Sequence, residues 1–143
     1  MLKISEALMR QIYDHTEASY PYECCGLMIG TAGNPGVVHA FRTCRNLNTE
    51  RARDRYEMDP EDQLRAQHEF AGGPWDIIGI YHSHPDHPSR PSETDTDRAW
   101  PGYSYVIISV RNGKVASANS WVLNESEHQF EEEPIVIKGD ETK

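Results

Sequence analysis

The chain has 143 residues, the size of one ordinary domain, and its 23 Asp and Glu against 14 Lys and Arg give a net charge of −9. This acidic balance argues against a general binder of nucleic acids or anionic membranes, because both need a basic surface. The absence of a long apolar run and of an apolar leader predicts a cytoplasmic protein without a membrane span, and its three cysteines are expected to be thiols.

The first half of the chain alternates helical and strand patterns. Ile4 to Ser19 repeats apolar residues at helical spacing, and Ser5 can act as its N-cap. The short apolar run from Glu23 to Ile29 predicts a buried strand, and Val37 to Thr43 is its expected hairpin partner. Asp59 to Gly72 predicts a second helix with an N-cap aspartate and a proline at its first position.

The second half contains four strand patterns and one short helix. The strand patterns are Trp75 to His82, Tyr103 to Val110, Val115 to Val122 and Pro134 to Ile137. Asn112-Gly113 is a strong hairpin signal, and the short helix runs from Ser92 to Ala99. Gly139 to Lys143 is expected to be a frayed tail. The order predicts an α/β fold over a single domain, residues 1–143, with a mixed β-sheet flanked by helices.

The most informative stretch is Tyr81 to Asp95, which reads YHSHPDHPSRPSETD. Side chains at i and i+2 of a strand point to the same face, so His82 and His84 can present their imidazoles side by side. If the proline-rich turn folds back, Asp95 can reach the same point. Two neutral imidazoles and one carboxylate suit zinc and leave a fourth position for water, as in zinc hydrolases. We therefore predict a Zn²⁺ site at His82, His84 and Asp95.

Each part of this pattern also has an ordinary explanation. H-x-H pairs occur in surface loops, and Ser92 with Asp95 forms a plain capping box. The capping box is compatible with metal binding, because a helix beginning at Ser92 would hold Asp95 rigidly. A zinc hydrolase also needs a general base that is not a ligand, and Glu23 is a candidate because it begins an apolar strand. A strand-end glutamate in contact with water is the equally open alternative.

Together these residues resemble the JAMM or MPN-plus (Mov34/PAD-1-like) metallopeptidase family. The family pattern is a glutamate, then H-x-H-P, six residues, and S-x-x-D. Glu23 in ECCGL, the HSHP run from His82, and Ser92 with Asp95 match it at every position. The resemblance extends roughly from the first helix to the Val115 strand. The short chain is similar to the stand-alone prokaryotic members.

The resemblance implies a three-layer α/β domain like that of cytidine deaminases. It also implies zinc-dependent hydrolysis of peptide or isopeptide bonds after the C-terminal diglycine of a ubiquitin-like modifier or sulfur-carrier protein. Glu23 would then be the general base and Ser92 the donor to the oxyanion. The family also contains members that only hold complexes together, so a catalytically silent scaffold is the alternative function.

Two other classes of enzyme share part of this residue set. A thiol enzyme would use Cys24 or Cys25, but an apolar strand raises the pKa of a thiol and makes it inert. A two-His-one-carboxylate iron oxygenase has the same ligand types, but it leaves Glu23 and Ser92 without a role. The complete set of five residues therefore favours the zinc hydrolase.

Two further features have no assigned role. Arg51, Arg53 and Arg55 form the basic cluster of a polar segment, which is either a solvated loop or a grip on a carboxylate of a partner. His87 lies between the histidine pair and Ser92, and we expect it to face solvent.

Overall fold

The computed structural model describes residues 1–139, which form an eight-stranded mixed β-sheet and three helices. In chain order the elements are β1 (Leu2–Ser5), α1 (Glu6–Ser19), β2 (Cys25–Thr31), β3 (Gly36–Cys44), α2 (Pro60–Phe70), β4 (Asp76–Pro85), α3 (Glu93–Arg98), β5 (Ser104–Arg111), β6 (Lys114–Asn124), β7 (Gln129–Glu133) and β8 (Ile135–Lys138). The strand order is β7-β6-β5-β4-β2-β3-β1-β8. The β4–β5, β1–β3 and β1–β8 pairs are parallel, and the other pairs are antiparallel.

The three helices begin where their capping residues predict. The Ser5 hydroxyl accepts a hydrogen bond from the Leu8 amide at 3.1 Å, and the Asp59 carboxylate accepts one from the Glu61 amide at 2.9 Å. Ser92 caps α3 in the same way. Each cap satisfies an amide that the first helical turn leaves without a partner, so short local patterns determine where these helices start.

The predicted strand pattern is incomplete toward both ends of the sheet. Strands β1 and β7 were not predicted, and β1 includes Ile4, which we assigned to the first helix. Strand β2 begins at Cys25, two residues after the predicted start, and ends at Thr31, two residues after the predicted end. A four-residue strand such as β1 is too short to show a period, and it is formed by parallel pairing with β3 and β8. Of the predicted frayed tail, only Gly139 is described, and the rest lies outside the described residues.

Helices cover both faces of the central strands. Helix α1 packs Met9 and Ile12 against one face, where Met28 and Ile108 are fully buried. Helix α2 packs Ala66 against the opposite face. This two-sided burial explains why β2, β4 and β5 are nearly continuous apolar runs. Within residues 1–139, every helix is too short or too polar to cross a lipid bilayer.

Gly26 has a close packing requirement that gives a stability prediction. It pairs with Tyr81 across the β2–β4 ladder, and a Cβ at Gly26 would overlap the buried Tyr81 ring. We expect Gly26→Ala to lower the free energy of unfolding by about 1–3 kcal/mol, the usual cost of overpacking a core. Urea unfolding of this variant beside Gly73→Ala, whose Cβ would meet only the Phe70 carbonyl at 3.4 Å, tests the prediction. Equal stability of the two variants would contradict it.

Candidate metal centre

The carboxyl-terminal part of β4 places His82 and His84 on one face of the sheet. Strand β4 lies between β2 and β5, and the register pairs His82 with Cys25 and Ile107, and His84 with Ser109. Both histidines are buried, His82 completely and His84 with 7% of its surface exposed. Because hydrogen-bonded neighbours hold this strand on both sides, the direction of both imidazoles is set by the sheet.

The two imidazoles meet the Asp95 carboxylate at one point. The Nε2 atoms of His82 and His84 lie 3.2 Å apart, and Asp95 Oδ2 lies 3.3 and 3.1 Å from them. These three atoms form a nearly equilateral triangle. A tetrahedral zinc ion with bonds of about 2.0–2.1 Å separates its ligand atoms by about 3.3–3.4 Å. The spacing of the three atoms therefore fits three ligands of one tetrahedral ion.

The hydrogen bonds of the imidazoles also fit a cation. His84 Nδ1 lies 2.9 Å from the Pro88 carbonyl oxygen, which can only accept, so Nδ1 carries the hydrogen and a neutral His84 leaves Nε2 as a lone pair. His82 is held by stacking on the Tyr56 ring at 4.5 Å, and within residues 1–139 its Nδ1 has no hydrogen-bond partner. The two Nε2 atoms lie 3.2 Å apart, so they could bind one metal ion together or share a hydrogen bond without it.

Asp95 is positioned by the first turn of α3. Its Oδ2 accepts a hydrogen bond from the Ser92 amide at 2.9 Å, and its own amide donates to Ser92 Oγ at 3.0 Å. Burial acts to raise the pKa of Asp95, but the hydrogen bonds with His82 and His84 outweigh burial and hold the pKa well below its usual value. The capping box therefore presents an ionised carboxylate to both imidazoles.

The two imidazoles differ in how readily they accept a proton. Burial lowers the pKa of His82. Burial also acts on His84, but hydrogen bonds with Asp95 and the Pro88 carbonyl outweigh it and raise the pKa. A metal ion and a proton compete for the same nitrogen, so metal affinity would fall as the pH drops through the raised pKa of His84, and metal binding below that pKa would displace a proton.

Glu23 lies next to the histidines and is held by the loop that follows β3. Its amide donates to the Ala52 carbonyl at 2.6 Å, and its carbonyl accepts from the Asn46 side chain at 3.1 Å. Only 6% of its surface is exposed, and one carboxylate oxygen lies within 4.8 Å of a ring nitrogen in His82 and in His84. Burial raises the pKa of Glu23 to about 8, against the opposing charge of His84. A carboxyl group of this kind can hold and release a proton near neutral pH.

The site thus offers two carboxylates beside the histidines. Asp95 Oδ2 completes the tight triangle with the histidines at 3.1–3.3 Å. One carboxylate oxygen of Glu23 lies within 4.8 Å of a ring nitrogen of each histidine, so Glu23 could also hold a metal ion with them. Asp95 is the better candidate ligand because its oxygen lies at tetrahedral spacing, and this leaves Glu23 as the candidate general base.

An open cleft of about 460 Å³ leads to this centre. Its lining residues are Glu23, Asp54, Arg55, His84, His87, Pro88, Arg90, Pro91 and Ser92. Ser92 is exposed at the cleft, and because its Oγ already accepts from the Asp95 amide, its hydroxyl hydrogen is available to a bound molecule. The five residues matched to the family pattern therefore lie around one cleft and its floor.

The other residues that the sequence offered for a functional role lie either in the core or at the cleft. Cys24 and Cys25 are buried, and Cys25 Sγ contacts the Cys44 carbonyl oxygen at 3.8 Å. Burial raises the pKa of both thiols, which disfavours the thiolate that a cysteine nucleophile needs. His87 is exposed, as predicted, and it lies on the wall of the cleft.

The sequence indicated the basic cluster as a possible grip on a carboxylate, but it did not identify Arg90 or Tyr56. The basic cluster divides: Arg51 pairs with Asp54, whereas Arg55 lines the cleft. Arg90 lines the cleft as well, and Tyr56 stacks on His82. The sequence gives only weak indications that these two residues belong to the site. Arg90 lies inside the proline-rich turn, and Tyr56 is an aromatic residue in a polar segment.

Comparisons with known proteins agree with this geometry. Residues 5–124 match the family described as prokaryotic homologs of the JAB domain. A desampylase of Haloferax volcanii is 37% identical over 106 residues, which cover 73% of each chain. A CysO-cysteine peptidase of Mycobacterium tuberculosis is 29% identical over 113 residues, covering 78% of this chain and 75% of that one. The solution structure of a protein from Desulfitobacterium hafniense has a TM-score of 0.84 and 30% identity over 98% of this chain and 94% of that one.

Proposed function

Because the chain belongs to the family of prokaryotic homologs of the JAB domain, we propose that it is a zinc-dependent peptidase acting on the C-terminal tail of a ubiquitin-like modifier or sulfur-carrier protein. The observation that carries this proposal is the triangle of His82, His84 and Asp95 with a buried glutamate beside it. The names of the relatives, a desampylase and a CysO-cysteine peptidase, support hydrolysis of such a tail.

The triangle fits zinc better than a cation that prefers oxygen ligands. His82, His84 and Asp95 would hold the ion, since two imidazoles and one carboxylate with tetrahedral spacing are typical zinc ligands. When bound, zinc supplies Lewis acidity that lowers the pKa of a water molecule from 15.7 to roughly 7. The Pro88 carbonyl keeps His84 in the tautomer that this binding needs.

Glu23 would move the proton during hydrolysis. Its carboxylate would take a proton as water adds to the carbonyl carbon of the second glycine. It then gives that proton to the amine as the C–N bond breaks. A carboxyl whose pKa is raised to about 8 by burial suits both steps at neutral pH, because it is neither a very weak base nor a very weak acid there.

Ser92 would stabilise the negative charge that develops on the carbonyl oxygen. Its hydroxyl faces the cleft that contains Glu23 and His84, and its position is fixed by the hydrogen bond from the Asp95 amide. One donor of this kind is typically worth about 10²–10³ in rate. The same serine therefore caps α3 and donates into the cleft.

We also propose that residues 1–139 with the short remaining tail form one domain with the three-layer arrangement of cytidine deaminases. The support is the packing of α1 and α2 on opposite faces of one sheet. Cleavage after a diglycine remains part of the proposal. Two glycines make a thin tail whose backbone can closely approach a centre at the floor of a cleft.

The proposal is tested with protein purified from zinc-containing medium. The substrates are CysO joined to cysteine, the bond that the mycobacterial relatives are named for, and a panel of ubiquitin-like proteins extended beyond a terminal diglycine. Mass spectrometry of the products should show cleavage that a chelator abolishes and added zinc restores. One zinc ion per chain with no cleavage of any substrate would instead favour the scaffold function.

Ser92→Ala is expected to lower kcat by about 10²–10³, because one oxyanion donor is lost. Its zinc content should be unchanged, since the metal ligands remain. Ser92→Thr keeps both the hydroxyl and the helix cap, so it serves as the control and should retain most of the activity. A large loss of zinc from Ser92→Ala would mean that the serine acts only through the position of Asp95.

A further inference from the structure

Two arginines line the cleft without an ion-pair partner. The guanidinium groups of Arg55 and Arg90 have no carboxylate within 4.0 Å among residues 1–139. The arginines of this part of the chain that do form ion pairs lie elsewhere on the surface: Arg10, Arg42, Arg45, Arg51 and Arg65. The cleft therefore combines the catalytic candidates with two arginines whose guanidinium groups form no ion pair in the described part of the chain.

Three other arginines of residues 1–139 also form no ion pair, so the feature that distinguishes Arg55 and Arg90 is their position in the cleft. The acid on the cleft wall, Asp54, is already bound by Arg51, with contacts of 2.5 and 3.2 Å. The second acid that lines the cleft, Glu23, forms no ion pair with either arginine. Neither carboxylate of the cleft thus pairs with Arg90.

Arginine binds carboxylates well because its planar guanidinium can donate two parallel hydrogen bonds. In a C-terminal extension of one residue, the free carboxylate lies roughly 4 Å from the carbonyl that is cut. A lysine in an isopeptide bond brings no such charge, because its own carboxyl group is part of a peptide bond. The two arginines therefore distinguish these kinds of leaving group.

We propose that Arg55 and Arg90 determine specificity by binding the free α-carboxylate of a single residue released from the carrier's C-terminus. A cleft of about 460 Å³ is within the range that encloses a small ligand, roughly 300–1,000 Å³. The inference rests on the proposed peptidase function and adds the chemistry of the leaving group. The proposal also narrows the role predicted for the basic cluster. Of the three arginines in that cluster, Arg55 is the one that lines this cleft.

Binding is measured first, with zinc-loaded Glu23→Gln protein and two probes. Both probes are CysO joined to one alanine, one with a free carboxylate (the acid probe) and one with a primary amide (the amide probe). Alanine avoids a thiol that could bind zinc directly. Calorimetry should show the acid probe bound about 10-fold or more tightly, as expected for hydrogen bonds between charged groups. Adding Arg55→Ala and Arg90→Ala should bring the ratio of the two Kd values to about one.

Arg10→Ala is the matched control, because Arg10 is an exposed arginine of α1 that does not line the cleft, and it should keep the ratio. Without the Glu23 substitution, the acid probe should be cut with a lower KM than the amide probe, and the double arginine substitution should remove that difference. Equal binding of the two probes, or a preference that survives the double substitution, would overturn the inference. Equal cleavage of both probes would overturn it while leaving the peptidase function intact. Tighter binding of the acid probe with cleavage of neither would support the arginine roles and count against the peptidase function.

Discussion

Glu23→Gln is expected to lower the rate of hydrolysis by about 10²–10⁴, the usual contribution of a general acid–base group. Glutamine has the shape of glutamate but cannot take a proton from water or return one to the amine. The side chain is buried, and burial already favours the uncharged carboxyl, so the neutral glutamine should not lower the melting temperature. Zinc content should stay at the wild-type value, because Asp95 and the two histidines remain.

Two measurements on one preparation test this prediction: metal analysis and hydrolysis of the substrate identified above. Glu125→Gln is the control, since Glu125 is an exposed glutamate in the turn after β6 and outside the cleft. Full activity in Glu23→Gln would remove Glu23 from the mechanism. Loss of zinc from the same variant would instead identify Glu23 as a ligand. The structure also allows that role, because a carboxylate oxygen of Glu23 lies within 4.8 Å of a ring nitrogen of each histidine.

The convergence of His82, His84 and Asp95 could be predicted because its signals are local. The alternation of a strand brings His82 and His84 to one face, and the capping pattern places Asp95 in the first turn of a helix. All three residues lie within fifteen consecutive positions, so little long-range information is needed. The family assignment from this motif is confirmed, as is the mixed sheet flanked by helices.

The surroundings of Glu23 could not be predicted in the same way. Its burial depends on the loop that supplies the Ala52 carbonyl and the Asn46 side chain, and the sequence of that loop has no periodic pattern. From spacing alone, a solvated strand-end residue was an equal alternative, and only the family resemblance favoured Glu23. Tyr56 and Arg90 were missed for the same reason, because tertiary contacts place their loops.

The edges of the sheet show a similar limit. Strand β1 has four residues and is stabilised by parallel partners about 34 and 133 positions away along the chain. Strand β7 reads QFEEE, and its acidic side chains suit an exposed edge better than an apolar strand pattern. Neither strand lies next to β4, so missing them did not affect the prediction of the site.

Asp95→Asn is expected to weaken zinc binding by more than about 100-fold. Removing a residue that only hydrogen-bonds to a metal ligand typically weakens binding about 10–100-fold, and here a ligand itself is replaced. The amide is neutral and a poor zinc ligand, but its oxygen can still accept the hydrogen bond from the Ser92 amide. Helix α3 should therefore form as before. Zinc at 100 times its Kd stabilises a folded protein by about 2.7 kcal/mol, so the zinc-dependent rise in melting temperature should be lost in this variant.

Asp97→Asn is a closely matched control for this substitution. Asp97 is exposed on the same helix two residues later, and its one ion pair among residues 1–139 is with His128, at 3.4 Å. It should keep both the zinc stoichiometry after dialysis and the thermal shift. If Asp95→Asn also kept them while Glu23→Gln lost its zinc, the two carboxylates would have exchanged roles. Because Asp95 Oδ2 lies 3.1–3.3 Å from both imidazole nitrogens, we expect the opposite pattern, with Asp95 holding the ion and Glu23 moving the proton.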